Sequence, residues 1–358
     1  MPVLIVGIGT AVPHHRIAQA DAAAIARPHS CETLAHDRVF NAVYWGTGVE
    51  TRHSVVLEAS DGDSALRQSF YGESSPTTRA RMGKFEDEAG ALALAAARSA
   101  LLDAGIAVAR VTHLVTVSCT GFSSPGFDIA LIKQLGLSAG IARTQVGFMG
   151  CHGALNGLRV AQAFVAADPE ACVLLCAVEM CSLHHQYGWN AERVVANSLF
   201  ADGAGAVVVM AGEAREDASN QVVAAGSTLI ADSEDAMSWR IGDHGFEMTL
   251  STRVPDLIAR NLRGWLDGWL SAHGLVVGAV GSWAVHPGGP RILAAVGEAL
   301  EVDRRALAIS HEILAEYGNM SSPTVLFILE RLRQNRSPRP WVALGFGPGL
   351  AVEAALLA

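Results

Sequence analysis

Three residues with complementary chemistry stand in short, glycine-punctuated segments far apart in the chain. They are Cys151 in VGFMGCHGALNGLRVA, His286 in WAVHPGGPRIL and Asn319 in EYGNMSSPTVLFIL. A thiol can accept an acyl group from a thioester, and an imidazole and a carboxamide can stabilise the enolate left when a carboxyl group departs as CO2. Cys151 follows Gly147-Phe148-Met149-Gly150 and precedes Gly153, small neighbours that let the backbone bend and a ligand approach. A cysteine at a helix start faces N–H groups and the positive end of the helix dipole, so its pKa is expected to fall. His286 closes an apolar strand and meets Pro287-Gly288-Gly289-Pro290, which leaves space beside the ring. Asn319 precedes a helix and reads equally as a cap or turn residue. As a catalytic group it would donate a hydrogen bond without changing the charge of the site.

Apolar β-rich runs alternate with Ala/Leu-rich stretches, the pattern of an α/β fold with covered sheets. Strands are predicted at 3–8, 111–118, 172–178, 205–210, 222–230, 279–285, 340–346 and 350–356. Helices are predicted at 87–105, 128–135, 153–167, 255–272, 290–300 and 322–334. The polar stretch 212–220 marks a boundary between two portions, 1–213 and 214–358. Residues 58–82, rich in Ser, Asp, Gly and Arg, read as a surface loop. The opening Gly7-Ile8-Gly9 lacks the third glycine of a dinucleotide-binding turn and runs into Pro13.

At 358 residues, 50% apolar and 17% charged, the chain suits a large buried core in two domains or halves. A net charge of −9 without a Lys/Arg-rich block argues against a nucleic-acid surface. The six cysteines show no CxxC pair or zinc spacing, so reduced thiols in a cytoplasmic protein are expected. No run reaches the ~18 apolar residues of a membrane span, and no integral membrane association is expected. Adjacent His184-His185 make a poor metal pair, because neighbouring side chains diverge and no carboxylate stands at ligand spacing. No metal is expected.

Taken together, GIGTAVP, EAGALALAAARSAL, VSCTGFSSPG, LFADGAGAVVV, HPGGP, YGNMSS and GFGPGL, in this order, resemble the type III polyketide synthases, the chalcone/stilbene synthase-like branch of the thiolase superfamily. The resemblance covers most of the chain. It implies a thiolase-like αβαβα five-layer fold from two related halves, the first carrying Cys151 and the second His286 and Asn319. It implies an acyl-CoA starter loaded on Cys151, decarboxylative extension with malonyl-CoA, and cyclisation to a pyrone, resorcinol or other phenolic product. No cofactor is implied, since CoA thioesters are substrates, and the partner is a second copy in a homodimer.

The same resemblance assigns Phe200 and Met248 as gatekeepers between a CoA tunnel and the cavity, with Phe246 two residues before Met248. Gly345, Phe346, Gly347 and Pro348 match the loop that shapes the cyclisation cavity. Cys119 and Cys181 stand where plant chalcone synthases carry cavity threonines. Arg52 and Arg291 are the expected CoA contacts, while Ser124 replaces the methionine that reaches across the plant dimer. A single-extension β-ketoacyl synthase shares the Cys-His-Asn chemistry, and a cysteine hydrolase or thioesterase is a more distant alternative.

Overall fold

The computed structural model describes residues 1–213 and 220–358, so most of the expected boundary stretch 212–220 lies outside the described residues. The strands are β1 Val3–Ala11, β2 Arg16–Ala18, β3 Thr51–His53, β4 His113–Ser118, β5 Ala142–Gly147, β6 Cys172–Met180 and β7 Asp202–Ala211. They continue with β8 Asn220–Leu229, β9 Met237–Gly242, β10 Gly245–Leu250, β11 Ser282–Val285, β12 Trp341–Gly347 and β13 Ala351–Leu357. The first helices are α1 Gln19–Ser30, α2 Leu34–Gly46, α3 Thr78–Ala104, α4 Phe127–Leu135 and α5 Gly153–Ala167. The remainder are α6 Ala191–Leu199, α7 Val254–Ser271, α8 Pro290–Leu300, α9 Ala308–Tyr317 and α10 Thr324–Gln334.

Among the described residues, nine strands join in the order β11-β12-β13-β8-β1-β7-β6-β4-β5. A narrow seam, Leu4 opposite Gln221 and Ile5 opposite Asn220, links the strands of the first portion to those of the second. Helices α5 and α10 lie between the two sets of strands and pack on both. α3 and α4 cover the outer face of the first set, and α7 and α8 the outer face of the second. The layers therefore run α-β-α-β-α, the thiolase-like arrangement. No helix among the described residues is long and apolar enough to cross a membrane.

The sequence explains the tight layers. β6, CVLLCAVEM, is buried along its whole length, as a strand covered on both faces must be. α3 is capped by the Thr77 hydroxyl, which accepts from the Ala80 N–H, and ends at Gly105 in the left-handed region (φ 63°). Its buried stripe, Ala89, Ala93, Ala96, Ala97 and Ala100, lets the helix lie close on β1. A Cβ at Gly7 would collide with the Ala100 carbonyl, and one at Gly9 with the Ala100 nitrogen. The Gly-x-Gly of the N-terminus is thus a helix–strand packing device.

The eight predicted strands and six predicted helices all fall on observed elements, but α3 starts at Thr78, well before residue 87. The expected loop 58–82 accordingly ends inside this helix. The sequence pattern does not predict helices α1, α2, α6 and α9, the short strands β2 and β3, edge strand β5 or the hairpin β9–β10. α1 contains Pro28, and β5 reads ARTQVG, with polar residues where an edge strand faces outward. Neither pattern matches a regular apolar period.

Candidate active site

Cys151 sits at a turn forced by its neighbours. β5 ends at Gly147, and Phe148 (φ 56°) and Gly150 (φ 72°) take left-handed backbone before the 3-10 turn Gly150–His152 runs into α5. A side chain at Gly150 would be strained by that φ, and its Cβ would also lie 2.5 Å from Pro348 Cδ. The loop after β12 and the Cys151 turn thus press together where glycine permits. Gly345 and Gly347 serve the same contact from the other side. A Cβ at Gly345 would lie 2.9 Å from His152 Cβ, and one at Gly347 would strike the His152 ring.

His286 follows β11, and its N–H donates to the Leu344 carbonyl at 2.8 Å, continuing the parallel pairing with β12. Its ring is buried, and neither nitrogen has a hydrogen-bond partner in the protein. Asn319 is fixed by its backbone. Its N–H donates to Leu199 O at 2.9 Å, and its carbonyl accepts from Ala201 N at 2.9 Å, so it brackets Phe200. Its side-chain Oδ1 accepts from the Ser321 N–H at 2.8 Å, which leaves the NH2 end to the cavity side.

Cys151, His286, Asn319, Phe200, Met248 and Phe346 line one enclosed cavity. A second compartment on the other side of Cys151 is lined by Cys119, Cys181, Trp239, Met248, Ser321 and Pro348. The Ser321 hydroxyl lies between two sulfurs, 3.5 Å from Cys151 Sγ and 3.4 Å from Cys119 Sγ. The segments separated in sequence therefore share one buried chamber. An open groove of about 320 Å³ leads outward past Leu199, Leu250, Gly288 and Ile292, which also wall the Cys151 cavity, to Thr47 and Arg291.

Electrostatics correct one expectation. Burial pushes the Cys151 thiol up to about 12, against hydrogen bonds from Ser321 and Asn319 that pull it down, so the expected lowering is not met. Burial likewise lowers His286 to about 3. Each group taken alone prefers its neutral form, because the chamber solvates neither charge. Helix-start geometry favours a thiolate by too little to overcome full desolvation.

The structure also relocates Arg52. Expected among the CoA contacts, it is 7% exposed, and its guanidinium donates to Asn197 O at 2.8 Å and Phe200 O at 2.9 Å. It holds the backbone beside Phe200 and offers no outward charge. Arg291 is exposed on the groove. Met248, not Phe246, faces the Cys151 cavity; Phe246 is buried against His184, with ring centroids 4.3 Å apart.

Two further residues bear on the site: Glu179, which the sequence places at the C-terminal end of strand 172–178 where α/β folds hold ligands, and Trp239, which lines the Cys119 compartment. Glu179, fully buried in β6, accepts from Ser322 Oγ at 2.6 Å, Thr120 Oγ1 at 2.6 Å and the N–H groups of Cys119 and Thr120. It ties the Cys119 loop to the Asn319 segment. Trp239 donates from Nε1 to Cys119 O at 2.7 Å. An acidic residue at the C-terminal end of a buried strand was a signal for the first. Nothing in the sequence marked the second.

The family models for chalcone and stilbene synthases match residues 2–213 (N-terminal domain) and 221–358 (C-terminal domain). The chain belongs to the chalcone and stilbene synthase family. It is 36% identical over 361 residues to a 1,3,6,8-tetrahydroxynaphthalene synthase of Streptomyces peucetius subsp. caesius, covering 99% of this chain and 92% of that one. It is 32% identical to the alpha-pyrone synthesis polyketide synthase-like Pks18 of Mycobacterium tuberculosis, covering 99% and 90%. Among solved structures it is similar to PKS-I from the brown alga Ectocarpus siliculosus, with a TM-score of 0.92, 32% identity and coverage of 99% and 98%. This chalcone and stilbene synthase family member is a type III polyketide synthase, an acyltransferase that extends a starter by decarboxylative condensation with malonyl-CoA and cyclises the product.

Proposed function

We propose that Cys151 carries the growing acyl chain and that His286 and Asn319 activate both half-reactions. The observation that carries this reading is the single cavity lined by all three side chains. The starter's thioester carbonyl is attacked by Cys151 sulfur as its proton passes to His286, and CoA leaves as the thiol, taking that proton. Malonyl-CoA then presents its thioester oxygen to His286 and the Asn319 NH2. Loss of CO2 leaves an enolate whose charge these donors stabilise, each worth about 3 kcal/mol. The enolate carbon attacks the Cys151 thioester, and the sulfur departs with the bonding pair. The chain, two carbons longer on CoA, returns to Cys151 for the next cycle.

The open groove is the CoA path, with Arg291 at its outer end for phosphate; Leu199, Leu250, Gly288 and Ile292 wall both groove and chamber, while Phe200 and Met248 line the chamber and not the groove. The two halves 1–213 and 214–358 supply Cys151 and the His286–Asn319 pair respectively. Ring closure gives a pyrone, resorcinol or other phenolic product, and no cofactor enters any of these steps. A homodimer is supported by exposed Phe122, Phe148 and Met149 beside the exposed edge strand β5. Such an interface would rest on the turn that carries the nucleophile.

The test is Cys151→Ala with malonyl-CoA. Polyketide formation is expected to vanish while CO2 release persists, and Asn319→Ala is expected to lower both about a hundredfold. Circular dichroism verifies the fold. Condensation by the Cys151 variant would remove the nucleophile from this scheme.

A further inference from the structure

A base that takes a proton inside a dry chamber needs a partner for the charge it gains. The reaction above gives His286 none, because neither ring nitrogen is hydrogen-bonded in the protein. Strand register points to one. β11 and β12 pair Val285 with Leu344, and β12 and β13 pair Gly345 with Glu353. His286 therefore heads a line that continues through Gly345 and Glu353 to Ser227 in β8. Val285 and Leu344 belong to the core under α7 and α8, whereas Ala284 and Ala343 belong to the core around α5 and α10. Alternation along the strands thus turns His286 and Gly345 toward α5. Gly345 and Gly347 leave that face of β12 bare, and the imidazole of His152 lies across them. A Cβ at Gly345 would be 2.9 Å from His152 Cβ, and one at Gly347 would be 2.5 Å from His152 Nε2.

The two nitrogens of this ring differ. His152 is 2% exposed, and Nδ1 lies 2.6 Å from Asn156 Oδ1, one turn along α5. That oxygen can only accept, so the proton of the neutral ring is on Nδ1. Nε2 is left as a buried lone pair without a partner. The charged groups acting on the ring are Glu353 from β13, buried and ion-paired, and its partner Arg159 from α5. A charge on His152 acts in turn on His286 from β11.

We propose, on the reading that His286 is the base, that His152 is its positioning residue. Its Nε2 accepts the hydrogen on the His286 nitrogen that faces away from Cys151, and so holds the imidazolium formed when the thiol proton arrives. That proton sits on the nitrogen facing Cys151 and leaves with CoA, so His152 neither gains nor loses one. The two rings are not bonded at rest; the contact closes as His286 becomes charged, since catalytic hydrogen bonds tighten in the reacting complex.

Alkylation of Cys151 by iodoacetamide from pH 6 to 9, read by mass mapping of its peptide, tests this. Base-assisted attack is independent of pH between about 3 for His286 and about 12 for Cys151, so the wild type is expected to give a flat rate. Unassisted attack rises tenfold per pH unit with the thiolate. His152→Asn can keep the bond to Asn156 but lacks Nε2, and His152→Leu lacks both nitrogens. Each is expected to lower the flat rate at least tenfold, the scale of a hydrogen bond to a charged group, and to expose the rise. His152→Gln, whose side-chain oxygen can replace the lone pair, is expected to stay within threefold of wild type. In a His286→Gln background, His152→Asn is expected to change nothing further. The assignment is overturned by a wild-type flat rate in either loss variant when folded by circular dichroism, by a glutamine variant as slow as the asparagine one, or by an equal loss in the His286→Gln background. Either loss variant decides the matter if the other does not fold. A flat rate kept by His286→Gln alone would remove the base and His152 with it. Loss in His286→Gln without loss in His152→Asn would leave the base standing and end the role of His152.

Discussion

At the residue scale, the chamber sets a problem that its side chains must solve together. Burial raises the Cys151 thiol and lowers His286, so neither ion forms readily unless each stabilises the other at the moment of attack. Ser321 and Asn319 contribute hydrogen bonds to the sulfur, and these alone do not reverse the desolvation. His286→Gln is therefore expected to slow alkylation of Cys151 by iodoacetamide at pH 7 by about a hundredfold, the scale of a lost general base. Mass mapping of the alkylated peptide checks this, and an unchanged rate would mean that His286 does not receive the thiol proton.

At the element scale, buried polar residues fasten the loops that wall the chamber. Asp202, at the start of β7, accepts from Ser182 N at 2.7 Å and Val55 N at 2.8 Å, tying the turn after Cys181 to the segment after β3. Burial raises its pKa from 3.8 to about 6, although these hydrogen bonds pull it down. A raised acid contributes stability that is full below its unfolded value and is lost as pH climbs through the folded value. Between pH 4 and 6 the ionisation of Asp202 is thus expected to cost about 2 kcal/mol. Asp202→Asn removes that slope, so the wild-type-minus-variant difference in unfolding free energy, from urea titrations at pH 4, 5 and 6, is expected to fall by this amount. A flat difference would show that Asp202 is ionised with no desolvation penalty.

At the scale of the whole molecule, the two sets of strands meet at a two-residue seam while α5 and α10 fill the space between them. The chamber lies among segments from both sets, so its geometry depends on how the layers stack. The proposed dimer adds a further layer of support. Phe122 is 51% exposed and Phe148 39%, with ring centroids 6.2 Å apart, in front of the Cys151 turn. Phe122→Asp is expected to weaken self-association by thirtyfold or more, about 2 kcal/mol. Analytical ultracentrifugation reads this directly, and a wild type that sediments as a monomer at all concentrations would refute the interface.

By itself the sequence singled out the proposed reacting groups and determined the layered α/β class. Cys151, His286 and Asn319 each stand beside residues whose backbone freedom or rigidity is written in their chemical type, and long apolar runs such as β6 can only be covered strands. Tertiary structure alone decided which charges survive. Arg52 reads as a phosphate contact until the carbonyls of Asn197 in α6 and of Phe200 just after it are placed against it, and the cysteine at a helix start reads as acidic until the surrounding layers exclude water. Trp239 belongs to a short hairpin without marked periodicity, and only packing turns it into a wall. Local conformation follows from neighbours along the chain, whereas solvation and cavity shape arise from neighbours across space, which no local pattern encodes.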